Sequence, residues 1–176
     1  MPIDELSTVQ VLVADDDPSI CELLSEFCRD RGLRVTTAVD GRAAVTALER
    51  STGEFRLVFA DIAMPQADGF AVLRAARAAN AQAYVVIITG YASLDSAIQA
   101  VRVGANDYLT KPFALGQIEV ILGQVRERFA LEHGRARLAR ESKIDDRLAM
   151  IDQRLERMEA ALDRLETRLA KMSHPQ

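Results

Sequence analysis

Four short apolar runs in this chain each end on residues able to do chemistry. VQVLVADDD ends on Asp15, Asp16 and Asp17, LVFAD on Asp61, YVVIITG carries Thr89 at its close, and YLTKP carries Lys111. Runs this short, rich in valine and isoleucine, read as strands buried on both faces. In an open parallel sheet, ligands bind just beyond the carboxyl ends of the strands. A fold that sets these runs side by side gathers carboxylates, a hydroxyl and an ammonium along one rim.

From Val9 to about Leu131, apolar runs alternate with amphipathic stretches. The strands predicted are Val9–Ala14, Leu33–Thr37, Leu57–Ala60, Tyr84–Thr89 and Asp107–Leu109. The helices predicted are Ser19–Arg31, Arg42–Arg50, Gly69–Ala78, Leu94–Val103 and Leu115–Glu132. Five such units in series give an α/β fold, a five-stranded doubly wound parallel sheet with helices on both faces. Gly32, Gly53 and Gly104 follow helical runs, where a left-handed C-cap favours glycine.

At 176 residues and 49% hydrophobic, the chain can bury one full core with residues to spare. A net charge of −4 argues against nonspecific nucleic-acid binding by the whole chain. No apolar stretch nears the roughly 18 residues that span a bilayer. The start, MPIDELSTVQ, lacks a basic region before an apolar core. A cytoplasmic protein with no membrane partner is expected. Cys21 and Cys28 share a helix face but lie too far apart to bridge, and no nearby histidine suggests a metal site.

The tail has another rhythm. Ile144, Leu148, Ile151, Leu155, Met158, Leu162, Leu165, Leu169 and Met172 recur at alternating spacings of four and three. That is a heptad seam with Leu148, Leu155, Leu162 and Leu169 at position a. Arg140, Arg147 and Arg154 then fall at g and Asp145, Asp152 and Glu159 at e, a pairing that favours parallel strands. A stripe this narrow suits a coiled coil better than a helix covering its own sheet, while dimer, trimer and tetramer all stay open. The organisation expected is a first domain over 1–131, a helical joint over 132–140 with a kink near His133–Gly134, and a coiled-coil oligomerisation or docking segment over 141–176.

Three carboxylates crowded at strand ends repel, by roughly 3 kcal/mol for two charges about 5 Å apart at an effective dielectric near 20. A hard divalent cation relieves this, and carboxylate oxygen with water suits magnesium. The cation then admits an anion such as phosphate, toward which Lys111 offers charge and Thr89 a hydroxyl. Asp61 is left for covalent chemistry, since carboxylates accept phosphoryl groups. The plainer alternative makes Asp15–Asp17 a helix cap, and either Asp17 or Ser19 caps the next helix.

Together the segments VLVADDDPSI, VFADIAMPQADGF, VIITGYAS and NDYLTKPF are specific. Through them residues 9–131 resemble the receiver domain of two-component response regulators, a CheY-like fold with strand order 2-1-3-4-5. The resemblance implies that Asp61 is the phosphoacceptor, that Asp16 binds Mg2+ directly and that Asp15 does so through water or its second oxygen. It implies that Ala63 lends the metal its backbone carbonyl, Thr89 bonds a phosphoryl oxygen and Lys111 pairs with it. Tyr108 matches the aromatic whose ring swings inward as the threonine moves, and Lys111–Pro112 matches a cis bond. The implied donor is a sensor histidine kinase or phosphotransfer protein. The implied activity is that of a signalling protein rather than an enzyme, beyond self-phosphorylation and autodephosphorylation. At the two positions that tune hydrolysis in the family stand Ala63 and Tyr91, neither of which can orient water with an amide or carboxylate. A long-lived phosphorylated form is expected, with Tyr91 shielding it.

The favoured output is homo-oligomerisation or docking through the coil, with no direct DNA binding. The Arg135, Arg137, Arg140, Lys143 cluster reads as a solvated helix face. The alternative is the receiver and helical linker of a larger transcriptional activator with an ATPase module. The chain has no Walker A motif, and the polar ending KMSHPQ after the heptads weighs against that reading. Phosphotransfer through His133 or His174 is the weakest option, since neither lies on a bundle face suited to docking.

Overall fold

The computed structural model describes residues 9–51, 53–132 and 150. β1 (Gln10–Ala14), β2 (Arg34–Ala38), β3 (Phe55–Asp61), β4 (Tyr84–Thr89) and β5 (Asp107–Thr110) form one parallel sheet in the order β2-β1-β3-β4-β5. The central strands are buried at nearly every position, which is why their sequences are almost wholly apolar. β2 and β5 lie at the edges, where Arg34, Thr36, Thr37 and Thr110 reach solvent.

The helices are α1 (Pro18–Arg29), α2 (Gly41–Arg50), α3 (Gly69–Ala79), α4 (Leu94–Val103) and α5 (115–132). Asp17, Asp40, Asp68 and Ser93 cap the first four by accepting a hydrogen bond from a first-turn amide. Pro18 opens α1, a position where its missing N–H costs nothing. The helices bury stripes set by the 3.6-residue period: Cys21, Leu24, Ser25 and Cys28 on α1, and Ile118, Ile121, Leu122 and Val125 on α5. Leu48 of α2 and Phe70, Leu73 and Ala76 of α3 join one core cluster with Leu12, Val58, Val85 and Ile87 of the sheet. The period of two leaves Val11, Val13, Leu57, Phe59, Val86 and Ile88, all buried, for the opposite face.

The expected strand order, element sequence and cis Lys111–Pro112 bond are all present. Gly32, Gly53 and Gly104 adopt positive φ, but of the three only Gly104 is itself the C-cap; right-handed Asp30 and Ser51 hold that position on α1 and α2. The limits shift elsewhere. β3 starts at Phe55 rather than Leu57, because Arg56 takes a half-buried place inside the strand. β2 runs one residue later than expected, from Arg34 to Ala38, and β5 extends to Thr110. α1 stops at Arg29 rather than Arg31, since the amides of Gly32 and Leu33 turn back to Arg29 O and Cys28 O. Both cysteines are free and buried. No described helix is long and apolar enough to cross a membrane. The expected joint and heptad segment, with His133, His174 and the Arg135–Lys143 cluster, lie outside the described residues apart from Glu132 and Met150.

Two glycines give opposite expectations. A Cβ at Gly41 would overlap the backbone carbonyl of Ala67, whereas one at Gly123, in the exposed face of α5, meets open space. Gly41→Ala should destabilise by about 1–3 kcal/mol, and Gly123→Ala should stabilise by about 1 kcal/mol. Urea midpoints of the two variants check the difference in sign.

Candidate functional site

The parallel register builds the rim. Ala14 of β1 pairs with Ala60 of β3, so the next residues, Asp15 and Asp61, leave their strands side by side. Asp61 pairs with Ile88 and Thr89 with Thr110, which brings Thr89 and Lys111 to the same edge. The Asp15 amide donates to Ala38 O at 3.1 Å and the Lys111 amide to Thr89 O at 2.8 Å, fixing both strand exits.

Asp15 and Asp61 are buried, Asp16 is exposed, and one carboxylate oxygen from each lies within 4.8 Å of the others. Asp15 Oδ1 accepts from Asp17 N at 2.9 Å, and Asp61 Oδ2 from Ala63 N at 3.2 Å. The remaining oxygens turn to Lys111, whose Nζ is 2.7 Å from Asp15 Oδ2 and 3.3 Å from Asp61 Oδ1. Neither of these buried oxygens accepts a hydrogen bond of regular geometry, so the contacts are ion pairs with unused lone pairs. Thr89 is buried, and its Oγ1 accepts from Tyr91 N at 3.0 Å.

Burial raises the Asp15 carboxyl above its ordinary value, against the lowering pull of Lys111 and of the Asp17 amide. Lys111 is also raised: burial alone would lower it, but the Asp15 and Asp61 carboxylates outweigh that loss. Two underused buried oxygens, a third carboxylate at the mouth and only hard donors make a set that fits a small divalent cation such as magnesium. A cation here would take over part of the neutralisation that Lys111 now supplies and free that ammonium for an incoming anion.

Asp15, Asp16, Asp61, Thr89 and Lys111 are thus brought together at one rim. Ala63 meets it through its amide. Tyr108 is engaged elsewhere, its hydroxyl 2.7 Å from Ser96 Oγ on α4. The Tyr91 side chain is almost wholly exposed rather than laid over the site. Asp17, not Ser19, caps α1, so the third aspartate of the run is structural. Gly69 was not singled out by sequence. A Cβ there would overlap the Asp61 carbonyl oxygen, so the start of α3 seats directly against the end of β3. Its one signal was the Asp68–Gly69 pair at a helix start.

A family model for the response regulator receiver domain matches residues 11–122. The chain belongs to that family. Among curated relatives, this receiver domain is 36% identical over 114 residues to the transcriptional regulatory protein ZraR of Escherichia coli K12, covering 65% of this chain and 25% of that one. It is 31% identical over 128 residues to the transcriptional regulatory protein RprY of Bacteroides fragilis, covering 70% and 53%. The chain therefore spans between about a quarter and a half of the length of these two relatives. Among solved structures, a Burkholderia pseudomallei response regulator with a phosphorylated aspartic acid, calcium ion and citrate superposes with a TM-score of 0.60 at 26% identity, covering 71% of this chain and 72% of that one.

Because its carboxyl is raised on folding, Asp15 favours stability only while protonated. Its contribution is full below the ordinary carboxylate value and is lost as pH rises through the raised one. At neutral pH, Asp15→Asn should therefore stabilise the metal-free protein while weakening stabilisation by added magnesium. Denaturant midpoints with and without the ion measure both effects.

Proposed function

We propose that this response regulator accepts a phosphoryl group on Asp61 from the phosphohistidine of a sensor kinase or phosphotransfer protein. The observation that carries this reading is the buried Asp61 carboxylate, held between Asp15, Asp16 and the Lys111 ammonium. An Asp61 oxygen attacks phosphorus in line, the P–N bond breaks, and the imidazole leaves with the bonding electron pair. Asp15, Asp16, Asp61 and the Ala63 carbonyl would hold Mg2+, which neutralises the equatorial oxygens when bound. Lys111 shifts from Asp61 Oδ1 to a phosphoryl oxygen, and the Thr89 hydroxyl turns to donate to another. Ala63 and Tyr91 provide no side chain to direct water in line, so hydrolysis of the acyl phosphate is slow.

Phosphorylation then shifts the balance between two packings of the face that joins Thr89, α4, Tyr108 and α5. Output runs through α5 into the heptad segment over 141–176, as parallel self-assembly or partner docking, without direct DNA contact. A second reading is supported by the relatives: ZraR and RprY are transcriptional regulators longer than the matched segment, so this chain would serve as the receiver and linker of such an activator.

Acetyl phosphate with magnesium should add one phosphoryl mass to the wild-type chain and none to Asp61→Asn. The adduct should persist for minutes or longer, and a half-life of a few seconds would contradict the slow-hydrolysis reading. Sedimentation of the full chain with and without beryllofluoride and magnesium should show a change of oligomeric state. An unchanged state would leave docking as the tail's role.

A further inference from the structure

α4 is held to the protein lightly. Ala100 is its one fully buried residue, and Leu94 and Val101 stand about three-quarters exposed. Its two ends are fastened by polar contacts instead. At the C-terminal end, Gly104 closes the helix at φ 100 and Arg77 donates to Gly104 O. At the N-terminal end, Ser93 and Ser96 form a reciprocal box: Ser96 N donates to Ser93 Oγ at 3.1 Å and Ser93 N to Ser96 Oγ at 3.2 Å.

Ser96 does more than close that box. Its Oγ lies 3.0 Å from Ser93 O and 2.7 Å from the Tyr108 hydroxyl. A serine hydroxyl has one proton to give and two lone pairs. Ser93 Oγ is a fourth neighbour at 2.9 Å, so the groups around Ser96 Oγ outnumber the bonds it can make, and either hydroxyl can be the donor in its contact with Tyr108. The Tyr108 phenol therefore enters the capping network of α4 through a single side chain. If the ring leaves, Ser96 loses its one bond to Tyr108 while its bonds to Ser93 persist.

We infer that Ser96 is a positioning residue that latches Tyr108 in the resting arrangement and ties the ring's position to the N-terminal cap of α4. The inference rests on Asp61 accepting a phosphoryl group and on Tyr108 moving in response, as proposed above. The latch favours the form without the phosphoryl group, because its bond is made only when the phenol lies against α4. A ligand that selects the other form binds with an apparent affinity reduced by the fraction of competent protein. Weakening the latch raises that fraction without touching a residue of the acidic rim.

The test is the affinity of the full chain for beryllofluoride in the presence of magnesium, followed by the resonances of ring-labelled tyrosine. Ser96→Ala should bind about fivefold more tightly, the effect of about one net hydrogen bond. Ser96→Thr, which keeps the hydroxyl, should bind like the wild type. Ser93→Ala, which breaks the box but leaves the Ser96 hydroxyl, should not reproduce the gain. In a Tyr108→Phe background, Ser96→Ala should have no further effect. An unchanged affinity in Ser96→Ala, an equal gain from Ser93→Ala, or the same gain in the Phe background would overturn the latch. Failure of the folded wild type to bind beryllofluoride overturns the acceptor reading and this one together. Binding that shifts Tyr108 in the wild type but is indifferent to Ser96 overturns the latch alone.

Discussion

Two carboxylates are buried beside each other at the end of this sheet, and one ammonium keeps them there. Asp15 and Asp61 leave adjacent strands in register, so the backbone brings their charges together whether or not that is favourable. Lys111 arrives from the far side of the sheet and contacts both. The parallel register, the tied strand exits and the β5 edge all serve that three-way contact. Its incompleteness matters as much as its presence, because two buried oxygens keep lone pairs that the lysine does not use. A site of this kind is stable enough to form and unsatisfied enough to bind.

Much of this was legible in the sequence because the signals are local. Apolar runs mark β1 and β4, broken in β1 only by Gln10, and the polar residue ending each run marks the rim. β4 and α4 keep their expected limits because turn residues flank both. β3 was read short because Arg56 breaks an apolar run that the strand nevertheless continues through. β2 resisted for the opposite reason, since an edge strand with exposed Arg34, Thr36 and Thr37 gives little hydrophobic pattern.

The features missed are those where two distant segments meet. Ser96 looks like an ordinary residue of a first helical turn, and nothing in its neighbours announces a tyrosine twelve positions on. Arg77 lies mid-helix in α3 with no special context, yet it donates to Ala83 O and Gly104 O and meets Asn106 Oδ1. The Asn106 side chain in turn accepts from Val85 N at 2.8 Å. These contacts brace the end of the sheet opposite the acidic rim, around the close of α4 and the starts of β4 and β5. α4 is thus secured at one end by a guanidinium fork and at the other by a few hydroxyls.

Gly41 and Gly69 have a further consequence. At both positions a neighbouring main chain occupies the volume that a side chain would need, Ala67 in one case and Asp61 in the other. The end of β3 and the loop following it are therefore clasped by two helix starts through bare backbone, a fit that no repacking of neighbouring side chains can loosen. Substitution along this rim has room at the exposed Asp16. These two positions offer none, because the obstacle is the path of the polypeptide itself.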